Sequence, residues 1–332
     1  MSATTALQRL ADWPRLPLAH LPTPFRPMLR LPGALGAPEL DMYVKLDAET
    51  GFALGGNKVR KLEFELAADR VKGVTCLLTA GGGQSNHCRV TSAAAAWLGL
   101  RCILVVTGPE PDRPTGNALL HRLFGAEIIT VAERVDRSPR LKLAAEEVAA
   151  GGGHPLVIPI GASTGLGSLG YARAAVELLA QTDAIGNARD RTVIVVASSS
   201  CGTLAGLLTG ISLLGREDVC LIGVSADASA AEIESRAAEI ARESATLLGW
   251  DGDLLTRQLS GVDSQVGEGY GIPTDASKTA VQIFGQTEGL VLDPTYTSKA
   301  GAGLIELVRS GEVTDRDRVV FLHTGGHPGL LA

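Results

Sequence analysis

The sequence predicts an α/β protein built on mainly parallel sheet, arranged as two sheets or one wide one. Three observations lead there. Short apolar runs alternate with amphipathic stretches of helical length from residue 74 onward, the pattern of βαβ crossovers. The runs are too many for one small sheet. Small residues abound, with 40 glycines, while aromatic residues make up only 4%, a balance that suits close helix-on-sheet packing and backbone-lined ligand sites.

The elements follow in order. The run "VTCLLTA" (74–80) precedes a helix-like stretch over 88–99, and "RCILVVTG" (101–108) precedes one over 115–125. "AEIITV" (126–131) leads to 138–150, and "LVIPIGA" (156–162) to 168–180. "VIVVASSS" (193–200) opens into 203–214, and "VCLIGVSA" (219–226) into 229–248. Helical stretches over 275–288 and 298–310 and a last apolar run, "RVVFLHTGG" (318–326), complete the series. No repeat and no low-complexity linker marks a domain boundary.

With 332 residues the chain can bury one large core or two modest ones. Its 45% apolar and 20% charged residues are those of a globular protein, and a net charge of −6 leaves no basic footprint for nucleic acid. Residues 1–27 carry charges and prolines without a continuous apolar segment, so no secretory signal is read there. The most apolar later stretch, 92–106, is broken by Arg101 and is too short to span a bilayer. Five cysteines without a CxxC pair read as reduced thiols of a cytoplasmic protein.

The stretch "GLGSLG" (165–170) matches a dinucleotide-binding fingerprint, which would bring a nicotinamide-dependent oxidoreductase into view. Such a site needs an acidic residue at the far end of the next strand. Here Asp190 precedes that strand and serines follow it, which argues against it. A glycine-rich helix start packed closely on a sheet explains the motif as well. His323 and His327 are four apart but enclose Gly325 and Gly326, so no metal site is expected.

Three stretches carry chemistry. In "GFALGGNKVRKLEFELA" (51–67), Gly55 and Gly56 give a turn and Asn57 can cap a helix starting at Lys58. Lys58 and Lys61 then share one face. A lysine in the first turn opposes the helix dipole, which disfavours its protonated form and suits an amine that must condense with an aldehyde. Taken alone, the two lysines read equally as solvated charges. "GGGQSNHCR" (81–89) sets Gln84, Ser85, Asn86 and His87 at the mouth of a helix where no core needs them. "VIVVASSSCGTLAGL" (193–207) ends a buried strand in Ser199, Ser200, Cys201, Gly202 and Thr203. That is a cradle for an anion at a helix start, or an ordinary helix cap.

Taken in order with "VGEGYGIPT" (266–274), "LDPTYTSKAGAGL" (292–304) and "FLHTGGHPGL" (321–330), these stretches resemble one family. It is the pyridoxal-phosphate enzymes of the D-cysteine desulfhydrase and 1-aminocyclopropane-1-carboxylate (ACC) deaminase group, relatives of the tryptophan synthase β subunit. The similarity runs from "HLPTPF" (20–25) almost to the C-terminus. It implies two domains, each with a mainly parallel twisted sheet covered by helices: a small one over 56–165, and a large cofactor-binding one over 1–55 and 166–332. It also implies a homodimer.

The resemblance assigns roles. Lys58 would form the Schiff base with pyridoxal 5'-phosphate and shuttle the Cα proton, and Lys61 would lie toward the phosphate. Asn86 would bond the cofactor's ring hydroxyl, and Ser200, Cys201, Gly202 and Thr203 would grip the phosphate. Gln84, Ser85 and the helix mouth would hold the substrate carboxylate, where N–H donors and the positive dipole end favour an anion. Tyr270 and Tyr296 would face the substrate, and Thr324 would stand beside the pyridine nitrogen. His87 reads as a pocket donor or as a histidine bonding nearby backbone. Glu63 and Glu65 read as solvated or paired with adjacent basic residues, and Cys88, Cys102 and Cys220 as buried fillers.

The implied reaction is β-elimination from a small β-substituted amino acid, with D-cysteine giving pyruvate, ammonia and hydrogen sulfide. L-cysteate sulfo-lyase and ACC deaminase are the alternatives within the family. A neutral Thr324 does not hold the pyridine nitrogen protonated, which disfavours a long-lived carbanion and suits a substrate with a good leaving group. Thr297 stands where ACC deaminases carry glutamate. Ser199 and Cys201 replace two glycines of the usual phosphate loop, which strains any position there that needs positive φ. Gly83, Glu268 and His327 also depart from ordinary desulfhydrases. A sulfonate substrate would want an extra cation in the pocket, and the sequence identifies none.

Overall fold

The computed structural model describes residues 1–187 and 189–332. Two sheets form. The larger joins six strands in the order β1-β2-β10-β7-β8-β9: β1 (Phe25–Pro27), β2 (Asp41–Lys45), β7 (Arg191–Ser198), β8 (Val219–Ser225), β9 (Leu259–Val262) and β10 (Asp317–Leu322). All its pairings are parallel except β1 with β2. The smaller sheet is wholly parallel, in the order β5-β4-β3-β6: β3 (Cys76–Gly82), β4 (Arg101–Thr107), β5 (Glu127–Val131) and β6 (Pro155–Val157).

The helices are α1 (Ala3–Asp12), α2 (Leu31–Ala34), α3 (Asn57–Glu65), α4 (Ala68–Val71), α5 (Asn86–Leu98) and α6 (Gly116–Leu123). They continue with α7 (Arg137–Ala150), α8 (Gly165–Asp183), α9 (Gly202–Leu213), α10 (Ala230–Leu248), α11 (Asp275–Glu288) and α12 (Thr297–Ser310). Their boundaries follow local chemistry. Ser229 and Glu232 form a capping box at the start of α10, Thr274 and Ser277 one at the start of α11, and left-handed glycines 249 and 289 end both helices.

Alternating residues of β7 supply the two faces of the larger sheet. Val193 and Val195 pack with Phe284 and Leu304 of α11 and α12, while Ile194 and Val196 pack with Leu204 and Leu208 of α9. In the smaller sheet Leu77 and Leu104 meet Val90 of α5 and Leu62 of α3, and Leu78 and Val105 meet Leu141 of α7. Strands buried on both faces read as unbroken apolar runs, which is why these were legible.

Four local expectations are corrected. The run at 156–162 is a strand only over Pro155–Val157, because Pro159 cannot donate to a ladder and Ile160–Ala162 turns instead. Asn57 begins α3 rather than capping it; the cap position is Gly56. Glu63 and Glu65 are buried rather than solvated, though each does pair with a basic residue: Glu63 with Arg15 at 3.2 Å, while also accepting from the N–H groups of Leu18 and Ala19 at 2.8 Å, and Glu65 with Arg70 at 3.0 Å. Cys88 and Cys102 are buried, but Cys220 is only partly so.

The glycine motif at 165–170 begins α8 and packs on other helices rather than on a sheet. A Cβ at Gly170 would lie 2.1 Å from the Arg60 carbonyl oxygen, so only glycine lets α8 touch α3. Helix α3 is buried nearly all round. Arg60 pairs with Asp47 at 2.9 Å and Glu177 at 2.8 Å, and Tyr171 also donates to Asp47 at 2.5 Å. Removing one partner would strand a buried charge, so the network fixes how α3 presents its first turn.

Candidate active site

Every sheet element that reaches the cleft does so with its carboxyl end, the usual place for ligands in open α/β sheets. α5 starts after β3, α9 after β7, and Thr324 follows β10. Around these ends Ser85, Asn86, His87, Ser200, Cys201, Thr203 and Thr324 line the cleft, together with Lys58 from the first turn of α3. Tyr270 and Tyr296 close the cleft, their hydroxyls hydrogen-bonded and their rings edge-to-face at 5.8 Å.

Lys58 is the second residue of α3, and burial lowers its amine to about 8. The nearby Cys201 works weakly in the opposite direction. Backbone contacts lock that first turn. The Asn57 N–H donates to the Thr324 carbonyl at 2.9 Å, and the Asn57 side chain donates to Thr203 Oγ1 at 3.0 Å. Three chain segments far apart in sequence are thereby held around one amine.

Lys61 and Gly202 back the cleft rather than line it. The Lys61 amine donates to Ser163 Oγ at 2.8 Å, and that hydroxyl donates to Ser200 Oγ at 2.8 Å and accepts from the Gly202 N–H at 3.3 Å. A Cβ at Gly202 would sit 2.7 Å from the Lys61 amine. Cys201 takes φ +63°, a left-handed conformation held by a residue with a side chain. The loop is thus shaped so that hydroxyls and the first-turn N–H groups of α9 converge, with a lysine behind them.

At the mouth of α5, Ser85 caps the helix by accepting from the Cys88 N–H at 3.2 Å. Asn86 Oδ1 accepts from Asn117 at 2.9 Å and from Arg89 at 3.2 Å. Gln84 is exposed and turns away from the cleft, where it accepts from the Asn117 N–H at 2.8 Å.

His87 is buried and its protonation is fixed by its neighbours. Thr79 Oγ1 donates to the Ile158 carbonyl at 2.7 Å, so at 2.9 Å it must accept from His87 Nε2–H. Nδ1 is left as a lone-pair acceptor, buried and without a protein partner. Burial, with Lys58 and Lys61 nearby, holds the ring neutral. Of the family departures, Ser199 and Cys201 line the cleft, whereas Thr297 is buried and bonds Asp293 Oδ1 at 2.7 Å, Glu268 is exposed, and His327 packs on His323 at 5.2 Å, all three outside the cleft lining.

The site also contains residues that sequence reasoning missed. Arg89 is buried and donates to Asn86, Asn117 and the Gly55 carbonyl. Ser163 sits in an unremarkable turn. Arg134 and Arg137 line the cleft but belong to "ERVDRSPR", a charge-rich run that reads as a solvated face.

An aldehyde-bearing phosphate fits these residues. Ser199, Ser200, Cys201 and Thr203, the Lys58 amine lowered to about 8, and His87 with its partnerless Nδ1 all line one cleft. Among the described residues no helix is long and apolar enough to cross a membrane.

Comparison with known proteins bears on the family and the fold. The family model described as pyridoxal-phosphate dependent enzyme matches residues 16–325. A D-cysteine desulfhydrase of Yersinia pestis (strain Pestoides F) is 41% identical over 99% of this chain and 98% of its own. One of Salmonella choleraesuis (strain SC-B67) is 39% identical over 98% of each. The crystal structure of an ACC deaminase homologue superposes with a TM-score of 0.87 at 35% identity, covering 98% of this chain and 96% of that one. The processed form of threonine deaminase isoform 2 from Solanum lycopersicum shares the fold: it is 16% identical with a TM-score of 0.65, covering 98% of this chain and 89% of that one.

Proposed function

The chain belongs to the pyridoxal-phosphate dependent enzymes, and from that premise we propose that it catalyses β-elimination on D-cysteine, giving pyruvate, ammonia and hydrogen sulfide. The observation that carries the proposal is the lowered amine of Lys58, which opens into the same cleft as the hydroxyl cradle and the mouth of α5. When bound, the cofactor supplies an electron sink that acidifies the Cα–H bond of an attached amino acid.

In this reading Lys58 carries the cofactor aldehyde and, once displaced by substrate, takes the Cα proton. An amine near 8 is neutral often enough at physiological pH to do both. Ser200, Cys201, Gly202 and Thr203 hold the phosphate from the front and Lys61 from behind. Asn86, fixed by Arg89 and Asn117, faces the ring hydroxyl, and Thr324 the ring nitrogen. Ser85 and the start of α5 bind the substrate carboxylate. Gln84 acts one layer out, by anchoring Asn117. His87 Nδ1 accepts a hydrogen bond from a cleft donor, and Tyr270 and Tyr296 cover the substrate and exclude water.

We extend the proposal to organisation. Residues 56–165 form the smaller body and 1–55 with 166–332 the larger, each carrying one sheet. The protein works in the cytoplasm, in keeping with five unpaired cysteines. It pairs as a homodimer through the groove where the exposed Leu54, Leu119 and Leu331 meet.

A product assay on cofactor-loaded protein tests the chemistry. Hydrogen sulfide and pyruvate should appear together from D-cysteine and far more slowly from L-cysteine. Release of 2-oxobutanoate from ACC without sulfide from either cysteine would overturn the assignment.

A further inference from the structure

Two contacts hold the Tyr270 ring over the cleft, and they come from elements of different sheets. Tyr296, at the start of α12, bonds its hydroxyl and meets the ring edge-to-face. Arg134 lies in the turn that follows β5 of the smaller sheet. Its guanidinium carbon is 5.4 Å from the centre of the Tyr270 ring, within cation–π reach.

Arg134 is held in its turn. It donates to Asp227 Oδ2 at 2.9 Å, two residues past the carboxyl end of β8 in the larger sheet. The Asp227 side chain is 11% exposed, and its Oδ1 is buried without a partner. Among the described residues neither group has another ion pair. An exposed ion pair is worth little. Here, losing the arginine would strand a largely buried carboxylate, which favours the joined arrangement more than an exposed pair would.

The loop between β9 and α11, which bears Tyr270, has joints. Gly267, Gly269 and Gly271 take φ of +61°, +141° and +79°. A Cβ on Gly269 or Gly271 would meet no atom within 4 Å, so glycine serves backbone freedom there and not packing. The Lys299 amine holds the carbonyls of Val266 and Gly269, so the remaining freedom lies at Tyr270 and Gly271.

We propose that Arg134 is a positioning residue: clasped by Asp227 across the cleft, it holds the jointed Tyr270 loop down over the bound amino acid. Release of the clasp lets the loop swing, so that substrate enters and product leaves. The proposal rests on the elimination reading for what is bound, and adds the device that closes the site.

The test uses Arg134→Gln, Asp227→Asn, the variant carrying both changes, and Arg134→Lys, all loaded with pyridoxal phosphate. Hydrogen exchange over residues 266–274, read by mass spectrometry, should be about tenfold faster in either single variant. The doubly changed protein should exchange no faster than a single one, because one clasp is lost only once. Exchange over β7 and α9 should not move. Added salt should speed exchange of the loop in wild type and leave Arg134→Gln unchanged. KM for D-cysteine should rise about tenfold in Arg134→Gln while cofactor affinity stays within about twofold, and Arg134→Lys should restore part of the loss. The proposal is overturned if loop exchange in Arg134→Gln changes less than about threefold, if the two single effects add, or if β7 is accelerated equally. Exchange as expected, with no sulfide released from D-cysteine by wild type, keeps the clasp and overturns the elimination reading instead.

Discussion

The buried amine of Lys61 donates a 2.8 Å hydrogen bond to the hydroxyl of Ser163. Through that hydroxyl it is joined to Ser200 and to the Gly202 N–H, so its position is tied to the loop proposed to hold phosphate. Lys61→Met should weaken pyridoxal-phosphate affinity by about 10- to 100-fold, the range for losing a hydrogen bond to a charged group. Titration of apoprotein, followed by its visible absorbance, measures this. An affinity within about twofold of wild type would remove Lys61 from the phosphate site.

The pH dependence follows from Lys58. With its amine near 8, the neutral fraction is about a tenth at pH 7 and about nine-tenths at pH 9. The rate of cofactor capture by apoprotein should therefore rise through a midpoint near 8, and His87, held neutral, should add no step between about 6 and 8. The stability sign agrees: between about 8 and 10.4 the unfolded lysine binds more protons than the folded one, so this group makes the apoprotein more stable as pH rises. A capture midpoint near about 10 would mean that the amine is solvated.

Cys201 pays a conformational cost at φ +63°. Glycine would relieve about 1–2 kcal/mol of left-handed strain and lose about 0.4–1 kcal/mol through a more flexible unfolded chain. Cys201→Gly should thus leave Tm unchanged or slightly raised, with cofactor affinity retained, whereas the β-branched Cys201→Val should lower Tm. Thermal unfolding of the three apoproteins decides it. A marked loss of Tm in the glycine variant would show that the thiol's packing outweighs the strain.

Much of this was legible in the sequence, and the boundary is physical. Central parallel strands such as β7 are buried on both faces and read as unbroken apolar runs, and glycine punctuation marked the starts of α3, α5 and α9. The short strands β1, β2 and β9 escaped notice because three to five residues carry too little periodicity to separate them from loop. Local order put Lys58, Ser85, Asn86 and Thr203 near helix starts. It could not show that Gln84 turns away, nor that Arg137 is drawn from a charged run into the cleft. Those outcomes depend on packing between segments distant in sequence.

Lys299 illustrates such a long-range contact. Its buried amine donates to the carbonyls of Val266 at 2.7 Å, Gly269 at 2.9 Å and Ala226 at 3.3 Å, and so pins the loop that carries Tyr270. Lys299→Met should raise KM for D-cysteine about tenfold while cofactor affinity stays near that of wild type. Steady-state kinetics beside a cofactor titration separate the two. Equal loss of both would assign Lys299 to the stability of the whole fold.

The central claim is that the amine of Lys58, and no other in the chain, carries the cofactor, and borohydride reduction followed by peptide mapping tests it most directly. Wild-type protein incubated with pyridoxal phosphate should turn yellow, and after reduction should bear one pyridoxyl group on the peptide containing Lys58. Lys58→Ala should stay unlabelled and lose turnover by about a thousandfold or more. A colourless wild type, or a label found on Lys61 or on a surface lysine instead, would contradict the account.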